Sequence, residues 1–241
     1  VNKQTKQSFA KKAKYRATNI LEMVHGDICG PVDPPTQAGN IYILVLIDDY
    51  SRYMWSFLLK HKSDASGIIK RFKISIETRT SKEIKTFHTD RGGEFTSTEL
   101  NRFCDEEGIS RMLTAPYAPQ QNGIVERRNW TLLEMTRCLM KAKDIPNHFW
   151  GEAVRHATFI INRTPTRALI GATPFEKFYG EKPNLEDLKV FGCVAYERVV
   201  SKHLKKLDDR SRPLVYFGKE PNSGGFRLYN PRENKIIISA H

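Results

Sequence analysis

Three acidic residues stand in sequence frames suited to metal-assisted chemistry on phosphodiesters. Asp27 lies in Val24-His25-Gly26-Asp27-Ile28-Cys29-Gly30-Pro31, and Asp90 in Thr86-Phe87-His88-Thr89-Asp90-Arg91-Gly92-Gly93-Glu94-Phe95. Glu126 lies in Asn122-Gly123-Ile124-Val125-Glu126-Arg127-Arg128-Asn129, with thirty-five residues (91 to 125) between it and Asp90. Phosphodiester transfer needs an activated nucleophile, a stabilised leaving oxygen and neutralised phosphate charge. Two divalent cations roughly 3.5–4 Å apart supply all three. Mg²⁺ takes oxygen ligands and usually only one or two protein carboxylates, which leaves positions for water and phosphate. Three converging carboxylates would therefore make two open sites for Mg²⁺ or Mn²⁺, whereas zinc wants Cys and His.

The elements around these acids must bring them together. Asp27 follows an amphipathic lead, 21–25, and precedes a Gly-Pro break; Asp90 follows the strand pattern of 84–88 and precedes Gly92-Gly93. An acid at a strand end before a flexible turn projects into a cleft. Glu126 falls in the first turn of a helix after Gly123, and the preceding stretch, 115–123, carries Pro116 and Pro119 and no helix or strand pattern.

The rest of the chain alternates strands and helices. Strands are expected over 21–29, 40–48 and 52–60, the second a nearly unbroken apolar run of the kind buried on both faces. A helix over 63–80, capped by Ser63 or Asp64, leads into the Asp90 strand; a helix over 97–107 and a strand over 109–113 follow. On the helix after Gly123, Val125, Leu132, Thr136 and Leu139 form the stripe expected on the sheet, and Glu126, Trp130, Leu133, Arg137 and Met140 form another. Helices over 147–162 and 173–178 come next. Four short strand-like pieces follow, 189–200, 214–217, 226–229 and 235–239, separated by Gly, Pro and Asn turns. The expected organisation is a basic arm (1–18), an α/β core (19–180) and a small β module (181–241). Asp48 and Asp49 suit a turn, and Glu94 a helix entry, better than extra ligand roles.

Composition narrows the partners. The 241 residues carry a net charge of +12 with a pI near 9.5, which favours a polyanion such as nucleic acid over a membrane. No apolar run approaches a bilayer-spanning length, and no secretory leader opens the chain. The missing initiator Met points to a fragment of a longer protein. The four cysteines, Cys29, Cys104, Cys138 and Cys193, form no Cys-x-x-Cys pair and suit reduced thiols of an intracellular protein.

These stretches resemble the retroviral and retrotransposon integrase family, whose catalytic core carries two Asp and then a Glu at this spacing. The shoulders match as well: Thr-Asp-x-Gly-x-Glu-Phe around Asp90 and Tyr-x-Pro-Gln-x-x-Gly-x-x-Glu-x-x-Asn around Glu126. Ile47-Asp48-Asp49-Tyr50-Ser51-Arg52, Phe149-Trp150-Gly151-Glu152-Ala153 and Phe191-Gly192-Cys193-Val194-Ala195-Tyr196 resemble the copia type of LTR retrotransposon. The resemblance implies a ribonuclease H-like mixed five-stranded sheet flanked by helices, followed by an SH3-like β module. It implies catalytic and metal-binding roles for Asp27, Asp90 and Glu126 with two Mg²⁺ or Mn²⁺ ions. It also implies DNA contacts from Tyr117, Asn122, Arg127, Arg128 and Asn129. The partners implied are double-stranded DNA (element ends and target), further copies of the chain on that DNA, and the rest of a Pol polyprotein. The nucleus is the implied place of integration. Trp130 departs from the family, which often has Lys or Arg there. A ribonuclease H-type nuclease and a catalytically decayed DNA-binding copy remain alternatives.

Overall fold

The computed structural model describes residues 16–114, 123–186, 188–199, 205–220 and 224–239. Five strands, β1 (Val24–Cys29), β2 (Tyr42–Asp48), β3 (Met54–Leu59), β4 (Thr86–Thr89) and β5 (Ser110–Leu113), form one mixed sheet in the order β3-β2-β1-β4-β5. The β1–β2 and β2–β3 pairs are antiparallel; β1–β4 and β4–β5 are parallel. The unbroken apolar run of β2 is explained by burial on both sides of the sheet. Leu44 and Leu46 face one core, while Ile43, Val45 and Ile47 face another.

Helices cover both faces. Ile69, Phe72 and Ile76 of α1 (Ala65–Thr80) and Leu100 and Cys104 of α2 (Thr98–Glu106) fill the first core with Leu44, Leu46 and Val24. Val125, Leu132 and Met140 of α3 (Gly123–Lys141) fill the second with Trp150, Ala153 and Ala157 of α4 (Trp150–Arg163). Met140 thus joins the sheet-facing stripe of α3, opposite to its expected place, and Leu139 is only half-buried. The entry to α1 also departs from expectation. A 3-10 turn, Lys62–Asp64, precedes it, and the Asp64 carboxylate accepts from the His61 N–H (2.9 Å) rather than capping α1. The short α5 (Pro174–Tyr179) has the expected cap: Thr173 accepts from the Glu176 N–H while Glu176 accepts from the Thr173 N–H.

A second sheet, β6 (Val194–Arg198), β7 (Ser211–Lys219), β8 (Phe226–Asn230) and β9 (Lys235–Ser239), is antiparallel throughout, in the order β6-β7-β8-β9. Its own core is small: Leu214, Tyr216 and Leu228. It leans on α4 instead. Phe191 and Phe217 enter the second core of the large sheet, and Arg227 on β8 reaches both oxygens of Glu152 on α4, at 2.6 and 2.9 Å. Gly218 (φ +124°) allows the close approach, since a Cβ there would stand 3.0 Å from His156 Nδ1. The strand expected from residue 189 begins only at Val194, and β7 is longer at both ends than the apolar pattern suggested.

Candidate active site

The central parallel pair places two of the three acids. In the β1–β4 ladder His25 lies beside His88 and Gly26 beside Thr89, so Asp27 and Asp90 occupy the next step along neighbouring strands. Asp27 also pairs with Val45, whose side chain belongs to the second core, which puts Asp27 on the face covered by α3. Asp90 stands just past the end of β4, where its Oδ1 accepts from the Gly92 N–H (3.0 Å), the turn its two glycines suggested. Glu126 stands in the first turn of α3, one residue from the fully buried Val125 that anchors this end of the helix.

Electrostatics show that the three carboxylates share one neighbourhood. Burial raises the Asp27 carboxyl from its usual range to about 6. The negative charge of Asp90 adds to that rise and Glu126 adds a smaller push, while the Ile28 N–H and Asn129 amide oppose it. Among the described residues, the donors to Asp27 are neutral: Asn129 Nδ2 sits 2.6 Å from its Oδ2. Nearby Cys29 is no nucleophile at neutral pH, because burial, reinforced by Asp27, pushes its thiol up to about 12. Among the described residues, no three His, Cys, Asp or Glu side chains lie close enough to enclose an ion as they stand. The acids are within electrostatic range of one another without forming a closed cage.

Behind them on the same sheet lies a buried polar network. His25 Nε2 is 2.9 Å from Asp49 Oδ1, and the Nδ1 atoms of His25 and His88 are 3.1 Å apart, so one ring donates to the other. Burial, aided by His25, lowers His88 to about 4 and keeps it neutral near pH 7. Asp49 also accepts from the Ala17 N–H (2.7 Å) and Arg52 Nη1 (3.0 Å). Asp48 accepts from the Leu21 N–H (2.7 Å) and from Ser51. Both acids hold the β2–β3 turn and the chain entering β1, the structural role their sequence context suggested.

The residues expected to meet DNA separate into three groups. Arg127 is exposed and Arg128 half-buried. Asn129 is turned inward, 5% exposed, because it lies on the buried stripe of α3 with Val125, Leu132 and Thr136; its amide serves Asp27 rather than solvent. Its spacing from those residues was the signal that could have revealed this. Tyr117 and Asn122 fall outside the described residues. Trp130, one helical turn beyond Glu126, is 75% exposed.

The sheet order, with helices on both faces and a separate four-stranded module, matches the expected ribonuclease H-like architecture followed by a small β module. Residues 18–119 match the integrase core domain, and residues 193–241 the retroviral polymerase SH3-like domain. The chain thus carries an integrase core domain and a retroviral SH3-like domain, and its relatives are copia-type retrotransposon Pol polyproteins. It is 37% identical over 237 residues to the retrovirus-related Pol polyprotein from transposon TNT 1-94 of Nicotiana tabacum, covering 98% of this chain and 18% of that protein. It is 32% identical to that from transposon RE1 of Arabidopsis thaliana, covering 100% of this chain and 16% of that protein. The chain therefore spans less than a fifth of the length of these relatives. Among solved structures, the HTLV-2 integrase catalytic core domain in complex with magnesium superposes with a TM-score of 0.52 at 20% identity, over 67% of this chain and 99% of that one. A chain of the simian T-cell lymphotropic virus intasome in complex with PP2A regulatory subunit B56 gamma gives 0.59 at 16% identity, over 98% and 81%.

Proposed function

We propose that this chain is the catalytic part of a retrotransposon integrase. It trims the ends of element DNA and joins the resulting 3′ ends to target DNA, using Asp27, Asp90 and Glu126 as the catalytic acids. The observation that carries this reading is the gathering of two further carboxylates around Asp27 of β1, Asp90 from the end of β4 and Glu126 from α3, with no cation of the chain paired to Asp27 among the described residues. Two Mg²⁺ or Mn²⁺ ions fit that donor set: every ligand is an oxygen, and a cation would favour the ionised carboxylate against the burial and neighbouring negative charge that raise Asp27 to about 6. Held by Asp27, Asp90 and Glu126, such ions would lower the pKa of the attacking water or 3′-hydroxyl and would offset charge on the phosphate. Magnesium in the similar HTLV-2 core supports the choice of ion.

The chain's own groups prepare the site. Asn129 fixes the orientation of Asp27 through its Oδ2. The Gly92 N–H does the same for Asp90. Arg127 and Arg128 meet phosphate, and exposed Trp130 offers a stacking face to a base. Assembly of several copies on two DNA ends, as in an intasome, and action in the nucleus belong to this reading. The test is strand transfer on short duplex ends with Mn²⁺. Asp90→Asn is expected to lower both end trimming and joining by more than about a hundredfold, beyond the loss typical for an outer-shell partner of a metal, while duplex binding persists. Joining at the wild-type rate by that variant would end the assignment.

A further inference from the structure

A line of cations leads from α3 across the β2–β3 turn to an open cavity of about 630 Å³. Arg16, Lys177 and Tyr50 line the cavity with aliphatic residues including Leu169 and Ile170, and no acid lines it. Lys177 Nζ lies 5.0 Å from the Tyr50 ring centre, and Arg16 donates to the Ala168 carbonyl at 3.1 Å. Arg52, on the adjoining turn, is near enough to both Arg16 and Arg128 for their charges to interact. It holds a left-handed backbone (φ 61°), and its Nε is buried without a hydrogen-bond partner among the described residues.

The acids nearby are already engaged. Asp49 serves His25, the Ala17 N–H and Arg52. Glu22 accepts from the Thr18 and Asn19 N–H groups, and Glu176 caps its own helix. Among the described residues, Arg16, Arg128 and Lys177 form no ion pair with a carboxylate. Asp49 answers only Arg52 among these four cations; Arg52 faces Arg16 and Arg128, Lys177 lines the same cavity as Arg16, and such like charges repel one another unless an anion joins them.

We propose that Arg128, Arg52, Arg16 and Lys177 form a seam that binds the phosphodiester backbone of duplex DNA away from the reacting end, guiding it from the acids to the cavity beside Tyr50. This rests on the DNA reading of the proposed function. A polyanion is the fitting occupant because it supplies several negative charges in a row and releases its counterions on binding.

The test uses the full chain carrying Asp90→Asn, so that no strand is cut. One variant adds Arg16→Glu and Lys177→Glu. A control adds Arg71→Glu and Lys82→Glu, an equal charge change at exposed positions on α1 and just beyond it, the helix on the opposite face of the sheet. Duplex affinity is measured by fluorescence anisotropy across a salt series. The seam variant is expected to lose at least about tenfold in affinity and to flatten the salt slope by about 2, close to two phosphate contacts. The control is expected to stay within about threefold. Equal losses in the two variants, or an unchanged slope in the seam variant, would overturn the seam. A third variant, Arg128→Gln, is expected to weaken binding with its melting temperature unlowered; lowered melting with unchanged affinity would overturn its part. If the Asp90→Asn chain itself binds no duplex, the integrase reading falls as well; if it binds and the two pairs behave alike, only the seam falls.

Discussion

Two clusters of acids in this molecule are built on opposite terms. Where the β module meets α4, Glu152 and Glu220 share the guanidinium of Arg227, with both Glu152 oxygens engaged. Although burial opposes its charge, Arg227 is held above its ordinary range by those two carboxylates. Within β1, Asp27 receives, among the described residues, only an amide and a backbone N–H, and its carboxyl is driven up to about 6. The first cluster is complete within the chain and serves as a fastener. The second is left short of positive charge, which is how a fold keeps room for a cation from outside.

Breaking the fastener is expected to have the larger effect on stability. Arg227→Ala leaves Glu152 buried beside an empty space and is expected to cost roughly 3–5 kcal/mol, measured by urea unfolding at pH 7. A cost below about 1 kcal/mol would erase the contrast between the clusters. Asp27→Asn is expected to act in the opposite direction. A folded pKa raised above the unfolded value of 3.8 stabilises below that value, and the contribution is lost as pH rises through about 6. Ionised Asp27 therefore costs the folded state at neutral pH, up to about 3 kcal/mol for a shift of this size. Removing its charge is expected to raise stability by roughly 1–3 kcal/mol at pH 7, scaled for the partial solvent access of the site. It is expected to change little near pH 3.5. Unfolding across pH 3.5–7 measures both, and a destabilised variant at pH 7 would contradict the reading. Mg²⁺ is expected to raise the melting temperature of the parent chain and to leave that of Asp27→Asn unchanged. The smallest effect is that of Asn129→Ala, expected to cost about 1 kcal/mol and to move the Asp27 carboxyl above its present value. Carboxylate titration by NMR would show an unmoved Asp27 if the amide had no such role.

Much of this was visible before any coordinates. The frame around Asp90 placed it at a strand end, and Thr173-Pro174-Phe175-Glu176 announced a capped turn, because such signals are local; Asp27, expected to end its strand, instead lies inside β1, which continues to Cys29 paired with β2. The unbroken apolar run 41–47 foretold burial on two sides. Strand order was a different matter. Parallel pairing of β1 with β4 joins segments about sixty residues apart in the chain (24–26 with 87–89), and periodicity carries no record of it; the family resemblance supplied that order. Asn129 was grouped with the DNA contacts although its spacing from Val125, Leu132 and Thr136 already put it on the buried stripe; its partner, Asp27, lies across the fold and leaves no local trace. The late start of β6 has a local cause: Gly192 bends the chain (φ +77°) where any Cβ would press within 2.8 Å of Lys143. The meeting of Arg52 with Arg128 joins a hairpin turn to a distant helix, and neither segment announces it alone.

The parallel seating of β1 against β4 has an evolutionary corollary. Because Asp27 and Asp90 follow directly from the paired Gly26 and Thr89, their separation is dictated by the lattice of the sheet and not by the sixty-two residues (28–89) strung between them. Loops in that interval can lengthen or shorten across generations without disturbing the pair. Loss of a single residue inside β4 would swing Asp90 to the far side of the sheet. Tolerance and fragility are thus neighbours here, and drift in a mobile element's descendants would be free in the first place and lethal in the second.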